Sequence, residues 1–432
     1  MSARGYCMNR RFFVKKILAV GAVVPVSKLS FGNEFSCMSD ESCTINILEY
    51  GCQNHQNDNQ YFDNREPLQN IIDACALLSM KHNSRVVIYI PKGVFFLSAT
   101  ASNKDITGAF CLLMRSNLVI KGEGTLKLLP YQYGNGAFFR ILTSDKNNKV
   151  ENCDIIGITF DGNSSLQTDG IQASNILLEC KSNIKISKVI SVNANGNGIL
   201  VRGGTKQDLP VTNVTIDHCI VDNCKKIGIQ VSQFQMLSIH DNIVSRCGDN
   251  GIDIYGDLGK GFPNITNGNS FFIFNNKVSF CLNGIFPETV SNGKVYNNKL
   301  SNMKESGIHV NRIHGLPNNI AIEGNSIFYS SFGMYFTGDM KNITANNNEL
   351  SYITDAFFSF GGGKGNASGV KIANNTLFID GNTGALSSFD GQGIRNISID
   401  NNKVVKKNNH QTDIILNRSK ASHVDSKTVI IK

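Results

Sequence analysis

The chain has 432 residues, of which 18% are charged and 9% aromatic, and its formal net charge is +8. That cationic excess is mild and no DNA- or RNA-binding motif accompanies it, which argues against a nucleic-acid partner. Walker, Rossmann, zinc-finger and protease signatures are missing as well, and the length exceeds what one compact core holds comfortably, so a repetitive, elongated architecture is expected.

The first thirty residues read as an address rather than as part of the fold. Asn9-Arg-Arg-Phe-Phe-Val-Lys15 precedes an apolar run, Ile17–Val26, that is too short to cross a bilayer comfortably. The pattern resembles a twin-arginine export signal, Ser/Thr-Arg-Arg-x-Phe-Leu-Lys, from which Asn9 and Val14 depart. The resemblance implies a leader over 1–32, no integral membrane segment, and a periplasmic or secreted protein. Among the 12 cysteines, Cys37 and Cys43, with Cys52 as a further candidate, stand where a disulfide could form.

Residues 44–130 are expected to hold an N-terminal cap and the first coils. In Pro67–Lys81, apolar residues at 68, 71, 72, 75 and 79 form a helical stripe. Asp63 or Asn64 can cap its start, with Pro67 in the first turn. Ile45-Asn-Ile-Leu-Glu-Tyr-Gly-Cys52, Asp63–Ala76 and Val86-Val-Ile-Tyr-Ile-Pro-Lys-Gly-Val-Phe-Phe-Leu-Ser98 follow one another. In that order they resemble the N-terminal cap of the pectate-lyase-like superfamily of right-handed parallel β-helices. The resemblance implies a β-helix closed at its N-terminal end by the 67–81 helix. Polygalacturonases, pectate and alginate lyases, mannuronan epimerases, phage tailspikes and exopolysaccharide proteins share that fold, so it says little about chemistry.

Residues 131–418 carry the repeat. Asn213-Val-Thr-Ile-Asp-His-Cys-Ile-Val-Asp-Asn-Cys224 leads to Gly228-Ile-Gln-Val-Ser232, and Met236–Cys247 leads in the same way to Gly251-Ile-Asp-Ile-Tyr255. One position is usually Asn (Asn242, Asn276, Asn298, Asn325, Asn348, Asn375, Asn402), at gaps of 34, 22, 27, 23, 27 and 27 residues. A period in this range marks a solenoid. The Ile-x-Ile and Gly-Ile-x-Val runs read as strands with one buried face, parallel because each coil returns to the same place. The fold class is therefore an all-β, single-stranded, right-handed parallel β-helix of about ten coils, ending in a tail over 419–432. The Asn column is expected at a turn, with positive φ and amides bonded up the stack. A second column, Ala194, Cys224, Cys247, Cys281, Met303, Ser330 and Ile353, reads as a buried ladder with reduced thiols.

Function has to come from the outward residues of the Gly-Ile-x-Val-x strands. Two outward columns are expected: Gln172, Leu200, Gln230, Asp253, Phe286, His309, Tyr335, Phe358, and Ser174, Arg202, Ser232, Tyr255, Glu288, Asn311, Thr337, Phe360. Acid–base groups gather in the middle coils, which makes Asp253, Glu288, His309 and Tyr255 candidate catalytic residues. Arg202, Asn311, Arg312, Tyr335 and Phe286 are candidate substrate ligands, and the glycine-rich insertion 257–269 is a candidate wall. A hydrolase needs two carboxyl groups across a glycosidic bond. A lyase or C5-epimerase needs cations on the substrate carboxylate and a base for the C5 proton. The patch contains residue types for each, so the expected partner is an anionic polysaccharide or oligosaccharide, with a non-catalytic glycan-binding or assembly role as the alternative. No cofactor is expected; Ca²⁺ at Asp249, Asp253 and Asp257 has only weak support. Thr168-Asp169-Gly170-Ile171 resembles a polygalacturonase strand, but Asn195-Gly-Asn-Gly198 follows where paired aspartates belong, so Asp169 reads as a turn residue. His218 and His240 read as structural residues on turns of other sheets. Oligomeric state is left open.

Overall fold

A computed structural model describes residues 43–431 apart from 56–60, 101–108, 133–137, 146, 168–171, 205–208, 263–265, 362–365, 380–383, 392, 407–416 and 420–428. The leader, Asp169 and most of the tail therefore lie outside the described residues. The chain winds as a right-handed parallel β-helix of about ten turns. One coil shows the plan. Val211–Asp217, Ile220–Cys224 and Ile229–Ser232 each pair in parallel with the equivalent strand of the next coil, Phe234–His240, Ile243–Cys247 and Ile252–Tyr255. Three parallel stacks result, and the groove described below runs over the third.

β-Branched residues at alternate positions produce this. Ile229, Val231, Ile252, Ile254, Ile285, Ile308 and Val310 are fully buried, each facing the equivalent residue one coil away across a strand spacing of ~4.8 Å. The Cys column forms as expected: Cys224 partners Cys247, Met303 partners Ser330, and Ser330 partners Ile353. Nine cysteines, from Cys52 to Cys281, are free and buried. Cys43 is disulfide-bonded, and its partner lies outside the described residues.

The Asn column is a continuous interior ladder. Each Nδ2 donates to the Oδ1 of the next Asn, at 2.9 Å from Asn242 to Asn276 and 3.0 Å from Asn276 to Asn298. The ladder continues at 2.9 Å through Asn325, Asn348, Asn375 and Asn402. The same amides donate to strand carbonyls, for example Asn325 to Val295 O. Positive φ does not fall on these residues. It falls on the one before each: Asp241, Asn275, Asn297, Gly324, Asn347, Asn374 and Asn401. The left-handed residue turns the corner, and the following Asn reaches inward to satisfy the backbone that the corner leaves unpaired.

The helix spans Arg65–His82 and buries Leu68, Ile71, Ile72, Cys75, Leu78 and Ser79, covering the open end of the first coils. Asp63 rather than Asn64 satisfies its first turn: Asp63 Oδ1 accepts from Arg65 N at 3.0 Å, whereas the Asn64 amide bonds the Gln53 backbone. Asn83, at φ 47°, ends it.

Candidate active site

Strands Ile199–Arg202, Ile229–Ser232, Ile252–Tyr255, Asn283–Glu288 and the 306–311 part of Lys299–Asn311 lie side by side. Their outward residues floor an open groove of about 560 Å³. Arg202, Asp253, Tyr255, Phe286, Glu288 and His309 line it as expected from the alternation, together with Asp249 and Glu305. Asn311, Arg312 and Tyr335 do not.

Two registers differ from expectation. Leu177 and Glu179, not Gln172 and Ser174, stand beneath Leu200 and Arg202. At the other end Ser359 partners Tyr335, while Phe358 and Phe360 point inward and are fully buried. In both coils the glycine that frames the strand elsewhere is replaced. Asn175, just before Ile176, donates its N–H to Asn197 O, and Ile176 donates to Gly198 O, while Phe357 stands against Gly333. Without the glycine the frame was misplaced.

Asp253 is the most perturbed acid on the floor. It is 3% exposed, and burial raises its pKa to about 8. The neighbouring Glu288 and Asp249 push in the same direction, against the side chains of Asn250 and Gln230. Asn250 Nδ2 donates to Asp253 Oδ2 at 2.9 Å, and Asn283 Nδ2 donates to Asn250 Oδ1 at 3.0 Å. Ser306 Oγ in turn donates to Asn283 Oδ1 at 2.5 Å. This buried chain orients one carboxyl oxygen, while Asp253 Oδ1 has no hydrogen-bond partner among the described residues. Asn250, Asn283 and Ser306 were not singled out from the sequence, although each immediately precedes a Gly-Ile pair.

Glu288 partners Tyr255 one coil above. Burial raises its pKa, opposed by the Asn311 amide, which donates to Oε1 at 2.7 Å. Asn311 thus acts on Glu288 from outside the groove, and its Oδ1 accepts from Thr337 Oγ1 at 2.6 Å. Tyr255 is half-buried, and burial followed by the charges of Asp257, Glu288 and Asp253 raises its pKa. His309 lies between Phe286, edge-on at 4.7 Å, and Tyr335, stacked at 4.4 Å. Its Nε2 is 2.9 Å from Thr337 Oγ1, and burial drives its pKa down to about 3.

The expected cations are already engaged. Arg202 donates twice to Glu179 Oε1, through Nε at 2.7 Å and through Nη2. Arg312 turns toward Asp339 Oδ2 at 3.7 Å and bonds the His314 carbonyl. Asp257 works as a staple: its carboxylate accepts from Gly259 N, His314 N and Gly315 N and faces His314 Nδ1 at 2.8 Å. Burial alone would raise the Asp257 pKa, yet these bonds lower it. Among the described residues Asp249, Asp253 and Asp257 do not bring three ligand atoms within 4.8 Å of one another, and with Asp257 committed to the turn they do not make a Ca²⁺ cage.

No family model matches the chain. Its fold is that of several solved structures. The A-module of the mannuronan C-5 epimerase AlgE6 from Azotobacter vinelandii superposes with a TM-score of 0.60 at 14% identity, over 90% of this chain and 97% of that one. The tailspike of E. coli bacteriophage HK620, in complex with a pentasaccharide, gives 0.62 at 14% identity over 85% and 67%. The Agl-KA catalytic domain gives 0.61 at 13% identity over 91% and 69%.

Proposed function

We propose that the protein hydrolyses a glycosidic bond in a neutral or weakly charged polysaccharide, with Asp253 as general acid and Glu288 as the carboxylate that activates water. Asp253 carries this reading: a buried carboxyl that keeps its proton near neutral pH, with one oxygen held by Asn250 and the other buried without a hydrogen-bond partner, so that it meets a glycosidic oxygen once the side chain turns toward the groove. Water adds to the anomeric carbon as Glu288 takes its proton. The bond to the glycosidic oxygen breaks, and that oxygen takes the proton of Asp253. One coil and two residues apart, the two β-carbons are on the order of 8 Å from each other, a separation that suits inversion.

The groove's charge supports a substrate other than the anionic one expected from sequence. Asp249, Glu288 and Glu305 line it against Arg202, which is itself paired with Glu179. Lyase or epimerase chemistry on a uronate would want a cation at the substrate carboxylate, and both candidate arginines are engaged elsewhere. A glycan partner draws further support from the similar structures, one an epimerase of mannuronan and another bound to a pentasaccharide. Export through the 1–32 leader belongs to the same reading, because it would bring the protein to extracellular glycans.

The test is a panel of neutral and acidic polysaccharides, followed by reducing ends and by unsaturated-uronate absorbance. New reducing ends from a neutral glycan, cut by ~10²-fold or more in Asp253→Asn, are expected. Unsaturated product, or full turnover by that variant, would overturn the assignment. Binding without turnover on every glycan would mark a binding or assembly protein instead.

A further inference from the structure

A second cluster lies at a corner of the helix away from the groove. His218 follows strand Val211–Asp217, and His240 and Asp241 close the equivalent strand of the next coil. Asp217 and His240 are register partners, so the corner brings two imidazoles and a carboxylate together. One ligand atom from each of His218, His240 and Asp241 lies within 4.8 Å of the other two. We propose that these three residues bind one divalent transition-metal ion of the zinc class.

The composition of the corner is the first argument. Its left-handed position is Asn in five of the later coils, Asn275, Asn297, Asn347, Asn374 and Asn401. Asn suits that backbone. His218 at φ 54° and Asp241 at φ 56° occupy the same backbone conformation, so two strong metal ligands replace the residue that the geometry favours. Both face solvent at least partly, which leaves room for water or further ligands on an ion.

Orientation is the second argument. His218 Nδ1 is 2.8 Å from Asp217 Oδ2, which also accepts from Ser187 Oγ at 2.9 Å. A carboxylate on one ring nitrogen fixes the tautomer and leaves Nε2 for a metal, the usual outer-sphere arrangement of metal-binding histidines. The His240 ring lies flat on Phe274 at 4.7 Å and 11°, and Phe274 on Tyr296 at 4.9 Å and 11°. His240 Nδ1 and Asp241 Oδ2 are 2.8 Å apart, so this pair has to open only by about half an ångström to reach the ~3.3 Å edge of a tetrahedral ion with bonds of ~2.0–2.1 Å. Two nitrogens and one oxygen suit Zn²⁺, Ni²⁺ or Cu²⁺ better than Ca²⁺ or Mg²⁺. The competing reading is two unrelated His–Asp pairs on a solvated corner. An ion here would tie two successive coils together without touching the groove.

Zinc chloride titrated calorimetrically into chelator-stripped full-length protein decides. Suitable variants are His218→Asn and Asp241→Asn, which install the residue that the other coils use, and His240→Phe, which keeps the ring stack. Wild type should take up one zinc at this corner and gain melting temperature with it. Each variant should bind that zinc at least ~10-fold more weakly while melting normally without metal, and Asp217→Asn should weaken it by ~10-fold through the orientation of His218. Equal uptake by wild type and the His218→Asn/His240→Phe double variant, or no zinc binding by wild type, would overturn the site. If a variant misfolds, electron paramagnetic resonance of Cu²⁺-loaded wild type decides: two coupled imidazole nitrogens support the site and none refutes it.

Discussion

Asp253 and His309 sit on the same outward column with opposite protonation preferences, and each ties stability to pH. Asp253 keeps its proton in the folded state up to about 8, whereas the unfolded chain releases it near 4. Between those values the folded state binds more protons, so stability falls as pH rises. His309 is held neutral down to about 3, while an unfolded histidine takes up its proton near 6.5; its contribution is lost as pH falls through that window. The two slopes oppose each other between about 4 and 6.5, which leaves a net decline from about 6.5 to 8. Asp253→Asn removes that decline. It should therefore melt higher than wild type at pH 8, by an upper bound on the order of 5 kcal/mol, and lose the advantage near pH 4. Parallel melting curves across pH would count against a protonated Asp253. The alternation of the strands made these residues legible in the sequence, because inward Ile and Val assign every second position to the outside. The engagement of Arg202 and Arg312 was not legible. It depends on Glu179, 23 residues earlier, in a coil whose frame Asn175 disguises, and on Asp339 in the coil that follows Arg312.

At the scale of elements, the corners carry much of the specificity. The helix and the parallel strands could be read directly from periodicity and from the repeat. The division of labour at the corner could not, since Asn suits both a left-handed backbone and an amide ladder, and only the folded chain separates the two columns. Asn325 donates to Val295 O and Asn348 Oδ1 and accepts from the backbone and side chain of Asn298. Asn325→Ala would leave buried partners unsatisfied and should cost about 2–4 kcal/mol in urea unfolding. Asn319, in an exposed amide ladder with Asn292 and Asn342, should cost only about 1 kcal/mol as Ala, mainly from its left-handed backbone at φ 53°. Equal losses would refute the structural ranking. The thiols follow the same logic. Burial pushes Cys153 and Cys219 up to about 12, and Cys224, Cys247 and Cys281 are buried. Iodoacetamide should therefore label these five only after denaturation, and a Cys224–Cys247 disulfide in non-reducing mass spectrometry would contradict the ladder.

The described residues form a rod whose first coils are closed by the Arg65–His82 helix, and its contacts run from coil to neighbouring coil. Among the described residues no helix is long and apolar enough to cross a membrane. The proposed twin-arginine leader would send the protein out already folded, which suits a rod whose nine thiols from Cys52 to Cys281 are free and buried. Arg10→Lys with Arg11→Lys should leave the protein in the cytoplasm at unchanged yield; unaltered export after fractionation would exclude the pathway.

The strict alternation along Ile252–Tyr255 and Asn283–Glu288 has a consequence for inheritance. The letters that hold the rod together, Ile252, Ile254 and Ile285, interleave with the letters that line the groove, Asp253, Tyr255, Phe286 and Glu288. A mutation in one set need not be answered by a mutation in the other. Such a lineage can remodel its groove by single outward substitutions, and can lengthen it by duplicating a coil, while the scaffold passes unaltered to its descendants.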